Sequence, residues 1–135
     1  MQALIYIAGA TPRHILTVLA LVLFQAGTAS SQEDANKILG EWKNETADRK
    51  IQFYQDTDGT YAAKLSWIND ENSDKKIGTI VVKKLQYQDG RYSKGLVYVP
   101  AQNVWLPCTV VVKNSNTLEI TGRKGFFSKT RLWIR

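Results

Sequence analysis

The chain has 135 residues, 44% of them hydrophobic, and its 18 Lys and Arg against 12 Asp and Glu give a formal charge of +6. This length bounds it to one domain, and the apolar content excludes a disordered chain. Cys108 is the single cysteine, so an internal disulfide is excluded and a packed core must hold the fold.

Residues 1–30 read as a targeting segment. Arg13-His14 supply a positive start, Ile15–Phe24 is an apolar run, and the small residues Ala26-Gly-Thr-Ala-Ser30 offer a cleavage site. The apolar run has signal-peptide length and is short for a membrane span, so an uncleaved anchor is the weaker alternative. Removing the segment takes away Arg13 alone among the charges and leaves 17 basic against 12 acidic residues. The roughly 100 residues that remain suffice for a self-supporting core.

Residues 31–39 predict a short helical or extended N-terminal arm. From Gly40 onward the pattern is of short β-rich runs between turn signals. Gly40–Thr46 is the first and Lys50–Gln55 the second, followed by Asp56-Thr-Asp-Gly59, where an Asp-Gly pair suits positive φ. Tyr61, Ala63, Leu65 and Trp67 then alternate with Ala62, Lys64 and Ser66, a period of two. After a polar loop over residues 69–76, Gly78–Gln88 resumes strand character, and Asp89-Gly90 predicts a two-residue hairpin into Tyr92–Val99. Pro100 ends that strand, and Pro107 predicts that the next one starts near Leu106 or bulges there. Cys108, Val110 and Val112 share one face of it. Leu118 and Ile120 point inward from a seventh strand, Gly122–Gly125 turns, and a final strand carries Arg131, Trp133 and Arg135.

Eight such strands, with no helical period after Gly40, predict an all-β antiparallel sandwich or barrel. Their short connections favour an up-and-down meander. Pairing the first strand with the last removes both free edges and yields an eight-stranded barrel, wide enough to be filled by side chains or to hold one small ligand.

Gly40-Glu-Trp42, Tyr98-Val-Pro100, Cys108, Leu118-Glu-Ile-Thr-Gly122 and the terminal Trp133-Ile-Arg135 together resemble the exported bacterial family called domain of unknown function 2147. The resemblance covers residues 40–135. It implies a lipocalin-like (calycin-like) barrel, a periplasmic or secreted location, and no established activity. Val99 stands where the family usually has an aspartate. Lipocalin-like proteins cover an early Gly-x-Trp indole with an arginine from the last strand. The resemblance therefore implies a closure made of Gly40, Trp42, Trp133 and either Arg131 or Arg135, with a structural role.

Chemistry is bounded mostly by absence. The one histidine, His14, lies in the leader, so the rest of the chain has no imidazole base and can form neither a Ser-His nor a Cys-His pair. A cysteine-histidine zinc site is excluded with it. Cys108 reads as a small core residue rather than a nucleophile. Asp56, Asp58, Asp70, Glu71, Asp74 and Asp89 nearly all fall in predicted turns, where an aspartate capping its own backbone is the simpler reading. Asp70-Glu-Asn-Ser-Asp74 begins like a calcium loop but has Lys75 where glycine is required. No cofactor or metal is implied. Trp67, Tyr87, Tyr98, Trp105 and Cys108 are the cavity candidates, and they either line a ligand cavity or fill the core. Lys83, Lys84, Lys94, Arg123, Lys124, Lys129 and Arg131 form a basic set. A solvated surface is favoured for it over attraction of an anionic ligand, an envelope surface or nucleic acid.

The reading is an exported, non-enzymatic barrel that binds a small apolar or amphipathic, or anionic, ligand. The alternative is a structural or interaction protein of the envelope with a filled barrel. No nucleic-acid partner and no membrane span after the leader are expected, and the expected state is a monomer or weak dimer.

Overall fold

The computed structural model describes residues 32–70 and 76–135. The targeting segment read in residues 1–30 lies outside them. Residues 32–35 form one helical turn, and Asn36–Ile38 a 3-10 turn. Eight strands follow: β1 (Gly40–Asn44), β2 (Arg49–Gln55), β3 (Tyr61–Ile68), β4 (Ile80–Gln88), β5 (Arg91–Val99), β6 (Val104–Asn114), β7 (Thr117–Lys124) and β8 (Phe127–Ile134). Each pairs antiparallel with the next and β1 pairs with β8, so the expected meander closes into a barrel.

Local chemistry explains the hairpins. Gln88 pairs with Arg91 across Asp89-Gly90, and both turn residues have positive φ, 52° and 80°, the geometry whose twist matches the flanking strands. Pro107 does not delay β6, which starts at Val104. The ladder from β6 to β7 runs only from Cys108 onward, so a residue without an N–H is tolerated where β6 has lost that neighbour.

The meander gives the barrel two unlike ends. One carries the β2–β3, β4–β5 and β6–β7 connections and the entry into β1, and it is packed solid. Ile38, Trp42, Phe53, Tyr61, Leu85, Tyr92, Val110 and Leu118 all have at most 3% of their surface exposed. Tyr61 meets Tyr92 edge-on at 5.4 Å and Tyr87 lies 4.9 Å from Tyr92, so aromatic rings fill the lumen there. Leu85 fits because Gly95 has no side chain. A Cβ at Gly95 would collide with Leu85 Cδ2 and would stand 2.8 Å from Leu85 Cγ and 3.1 Å from the Lys83 carbonyl oxygen.

The other end carries the β1–β2, β3–β4, β5–β6 and β7–β8 connections. Here closure is thin. The register between β1 and β8 consists of Lys43 with Ile134 and Asn44 with Trp133. Because β1 ends at Asn44, β8 from Phe127 to Leu132 pairs with β7 alone. The sheet is therefore unpaired along this part of β8 on its β1 side, a gap in the ladder beside this end.

Candidate ligand-binding site

The seam comes first because it explains the chain's most recognisable residues. The Trp42 indole donates from Nε1 to the Ile38 carbonyl at 2.8 Å. The Arg135 guanidinium lies over the indole, 3.8 Å from its centroid. Arg135 also donates to the carbonyls of Lys37 at 2.8 Å, Leu39 at 3.0 Å and Ser115 at 3.0 Å, tying the 3-10 turn, the entry to β1 and the β6–β7 connection to the end of β8. Gly40 has φ 107°, and a Cβ there would stand 3.2 Å from Arg135 Nη1, so a side chain would be strained and would press on the guanidinium. Trp133 pairs with Leu118 and Asn44 and is half-buried. Arg135, not Arg131, covers Trp42. Arg131 lies further up β8, beyond the reach of β1.

The aromatic cavity candidates divide by face, and three of them need correcting. Gly95 pairs with Cys108 on the buried side, whereas Tyr98 pairs with Trp105 three residues on along each strand, hence on the opposite face. Tyr98 and Trp105 thus stand on the outer wall, their rings 5.3 Å apart, with Lys83 Nζ 4.1 Å from the Trp105 centroid and the Tyr98 hydroxyl donating to Asn103 Oδ1 at 2.6 Å. Trp67 is outside as well. Ile51 pairs with Leu65 but Lys50 with Trp67, so Ser66 is an extra residue in β3 and the alternation reverses after it. Trp67 is 40% exposed, with Lys50 Nζ 5.7 Å from its ring. Tyr87 does face inward, within the packed tyrosine cluster.

Cys108 is inward and buried, and desolvation of the thiolate pushes its pKa up to about 12. It is therefore a protonated thiol at neutral pH, which predicts that Ellman's reagent at pH 8 leaves the folded protein unmodified over many minutes and titrates one thiol in urea. Rapid reaction of the folded protein would show that the β5–β6 wall opens.

Two of the turn carboxylates, Asp56 and Asp58, serve their own backbone. Asp56 accepts from the Thr57 N–H at 2.8 Å, and Asp58 from the Thr60 N–H at 2.9 Å and the Thr60 hydroxyl at 2.6 Å. Lys84 Nζ, 2.7 Å from Asp58, holds that carboxyl well below the usual range. Glu71, Asp74 and most of the calcium-like loop lie outside the described residues. Among the described residues, no three Cys, His, Asp or Glu side chains come close enough together to hold a metal ion.

What the strands do bring together is a wall that sequence reasoning missed. Val97 pairs with the buried Val82 and with Leu106, and Val99 pairs with Val104, so Val97, Val99, Val104 and Leu106 share the inner face toward the open end. All four remain partly accessible to solvent. On β8, Arg131 pairs with the buried Ile120 and Lys129 with Gly122, whose Cβ direction runs toward Val97, so both cations stand on that same inner face and are exposed. The signal was present in the alternation of Phe127, Lys129, Arg131 and Trp133 against Ser128, Thr130 and Leu132. The inner face toward this end thus carries partly exposed apolar positions of β5 and β6 together with two exposed cations of β8. Lysine and arginine there also guard an edge that β1 leaves unpaired.

Comparison with known proteins places this geometry. No curated protein matches the sequence. Protein HP1028 from Helicobacter pylori, described as belonging to the lipocalin family, is similar in structure with a TM-score of 0.56 at 18% identity, over 73% of this chain and 82% of that one. That likeness shows a lipocalin-like fold. The model of a family described as uncharacterised and conserved in bacteria, domain of unknown function 2147, matches residues 40–135. With strands, closure and family model covering one and the same stretch, the chain belongs to the bacterial family of domain of unknown function 2147.

Proposed function

We propose that this is an exported, non-enzymatic binding protein that holds one small amphipathic anion in the open half of its barrel. The observation that carries the reading is an inward-facing apolar wall, Val97, Val99, Val104 and Leu106, left accessible to solvent beside Arg131 and Lys129. Apolar side chains inside a barrel are normally covered, and a ligand tail would cover these. A carboxylate, sulfonate or phosphate head would then meet the two cations at the gap in the ladder. Export rests on the leader read in residues 1–30.

A dansyl-labelled long-chain fatty acid is a suitable probe. Its emission should rise saturably with one site per chain. Arg131→Gln should weaken it about tenfold, the equivalent of about 1.4 kcal/mol for one charge-assisted contact near solvent. Val97→Trp, which fills the space, should abolish binding without lowering the melting temperature. Undiminished binding in that variant would overturn the reading. A second reading, an envelope protein with no ligand, draws on the solid packing around Tyr61, Tyr92 and Phe53 at the far end. It predicts no saturable binding in any variant.

A further inference from the structure

The open end carries more than a mouth. Of the large apolar side chains exposed among the described residues, Trp67, Ile77, Ile80, Phe126 and Phe127 all belong to this end, and Leu132 and Ile134 lie on the outer face of β8. Phe126 and Phe127, at the tip of the β7–β8 hairpin, are 107% and 82% exposed, as open to water as a side chain can be. Scattered exposed apolar residues are ordinary, but several at one end with two adjacent phenylalanines at a tip are not.

Charge is distributed the same way. From Ile120 to Arg135 there are five cations, Arg123, Lys124, Lys129, Arg131 and Arg135, and no acidic side chain. Arg135 is engaged at the seam. The other four flank the phenylalanines and are exposed, and none forms an ion pair with a described residue. Lys124 Nζ donates to Gln102 Oε1 at 2.9 Å, which holds the β7–β8 tip against the β5–β6 connection, itself free of acidic residues. Of the carboxylates on the neighbouring β1–β2 connection, Asp48 is already bound by Asn44 and by Arg49 at 3.3 Å, and Glu45 is exposed.

Aromatic residues at a tip, ringed by cations with no acidic partner among the described residues, match the interface of an anionic lipid bilayer. Phenylalanine enters the boundary between headgroup and acyl chain, and lysine and arginine meet the headgroup phosphates. A soluble anion held at Lys129 and Arg131 would leave Arg123, Lys124 and the rings in water, and a protein partner would not require the excess of one charge. We infer that the open end of the barrel docks on an anionic membrane surface through Phe126 and Phe127, with Arg123, Lys124, Lys129 and Arg131 around them. The mouth described above would then face the bilayer. Docking does not require an occupied lumen, so the two proposals stand or fall separately.

The burial of Cys108, the single native cysteine, makes a site-specific test possible in the full chain. Phe126→Cys is labelled with an environment-sensitive fluorophore and mixed with vesicles of phosphatidylglycerol and phosphatidylcholine, and Thr57→Cys, in the β2–β3 turn at the packed end, is the control. The label at 126 should shift to the blue with anionic vesicles, much less with phosphatidylcholine alone, and return toward its aqueous emission in high salt. The label at 57 should stay aqueous throughout, whatever else in the chain touches the vesicle. Arg123→Gln with Lys124→Gln should weaken the shift at 126 by at least tenfold, each cation near such a surface being worth about fivefold. Equal shifts at 57 and 126, an aqueous label at 126 on vesicle-bound protein, or a 126 label already shifted before vesicles are added would each overturn the inference.

Discussion

Replacing Trp42 with alanine is expected to cost about 3–5 kcal/mol, the range for removing a large aromatic from a packed core. The residue has no exposed surface, so the loss includes its whole burial. It also strands the Ile38 carbonyl, which accepts the indole N–H, and takes the aromatic face from under Arg135. With about 4–8 °C per kcal/mol for a domain of this size, the melting temperature should fall on the order of 20 °C. A domain of ordinary stability would lose much of its margin. Arg135→Lys separates the contributions: it keeps a charge but not the fork that reaches three carbonyls, so a fall of about 1–2 kcal/mol is expected. A Trp42→Ala protein that melts with the parent would mean that the barrel does not depend on this seam.

Gly95 is the second position where one atom should decide stability. Adding a methyl group there drives it into Leu85, whose side chain lies against the bare backbone, and leaves the Lys83 carbonyl oxygen 3.1 Å away. Overpacking of this kind costs about 1–3 kcal/mol, and Gly95→Val should exceed the effect of Gly95→Ala. Leu85→Ala alone should cost about 2–5 kcal/mol through the cavity it opens. The two alanine changes should not add, because the new methyl group enters the space that Leu85 vacates. Urea melts of both single variants and the double variant measure the coupling, and additive losses would show that these residues do not share the site.

The strands and hairpins of this barrel were legible because they depend on neighbours in the chain. Asp89-Gly90 joins strands at the predicted two-residue turn, and Leu118 and Ile120 are buried as their alternation requires. The resemblance placed an arginine over Trp42 but left two candidates. Arg135 rather than Arg131 meets the indole because the β1–β8 register begins at Asn44 with Trp133, which carries the end of β8 past the entry to β1.

The cavity candidates were misjudged for a comparable reason. Aromatic residues on strands suggest a lumen, yet the pair Tyr98–Trp105 is outside because the pair Gly95–Cys108, three residues away along each strand, is inside. Trp67 is outside because one extra residue at Ser66 reverses the alternation. Conversely, Lys129 and Arg131 read as solvated surface, since no local rule turns a cation inward. They face the interior because β7 sets their register and β1 is too short to cover them.

What the sequence by itself determined was the number of strands, their turns, the all-β class and the family. These follow from backbone preferences and from a period of two, both of which act over a few residues. Only the tertiary structure decided which face each strand presents, where the barrel is packed and where it opens, and which cations border the opening. A bulge or a short strand shifts register by one residue, and in a sheet that exchanges inside for outside.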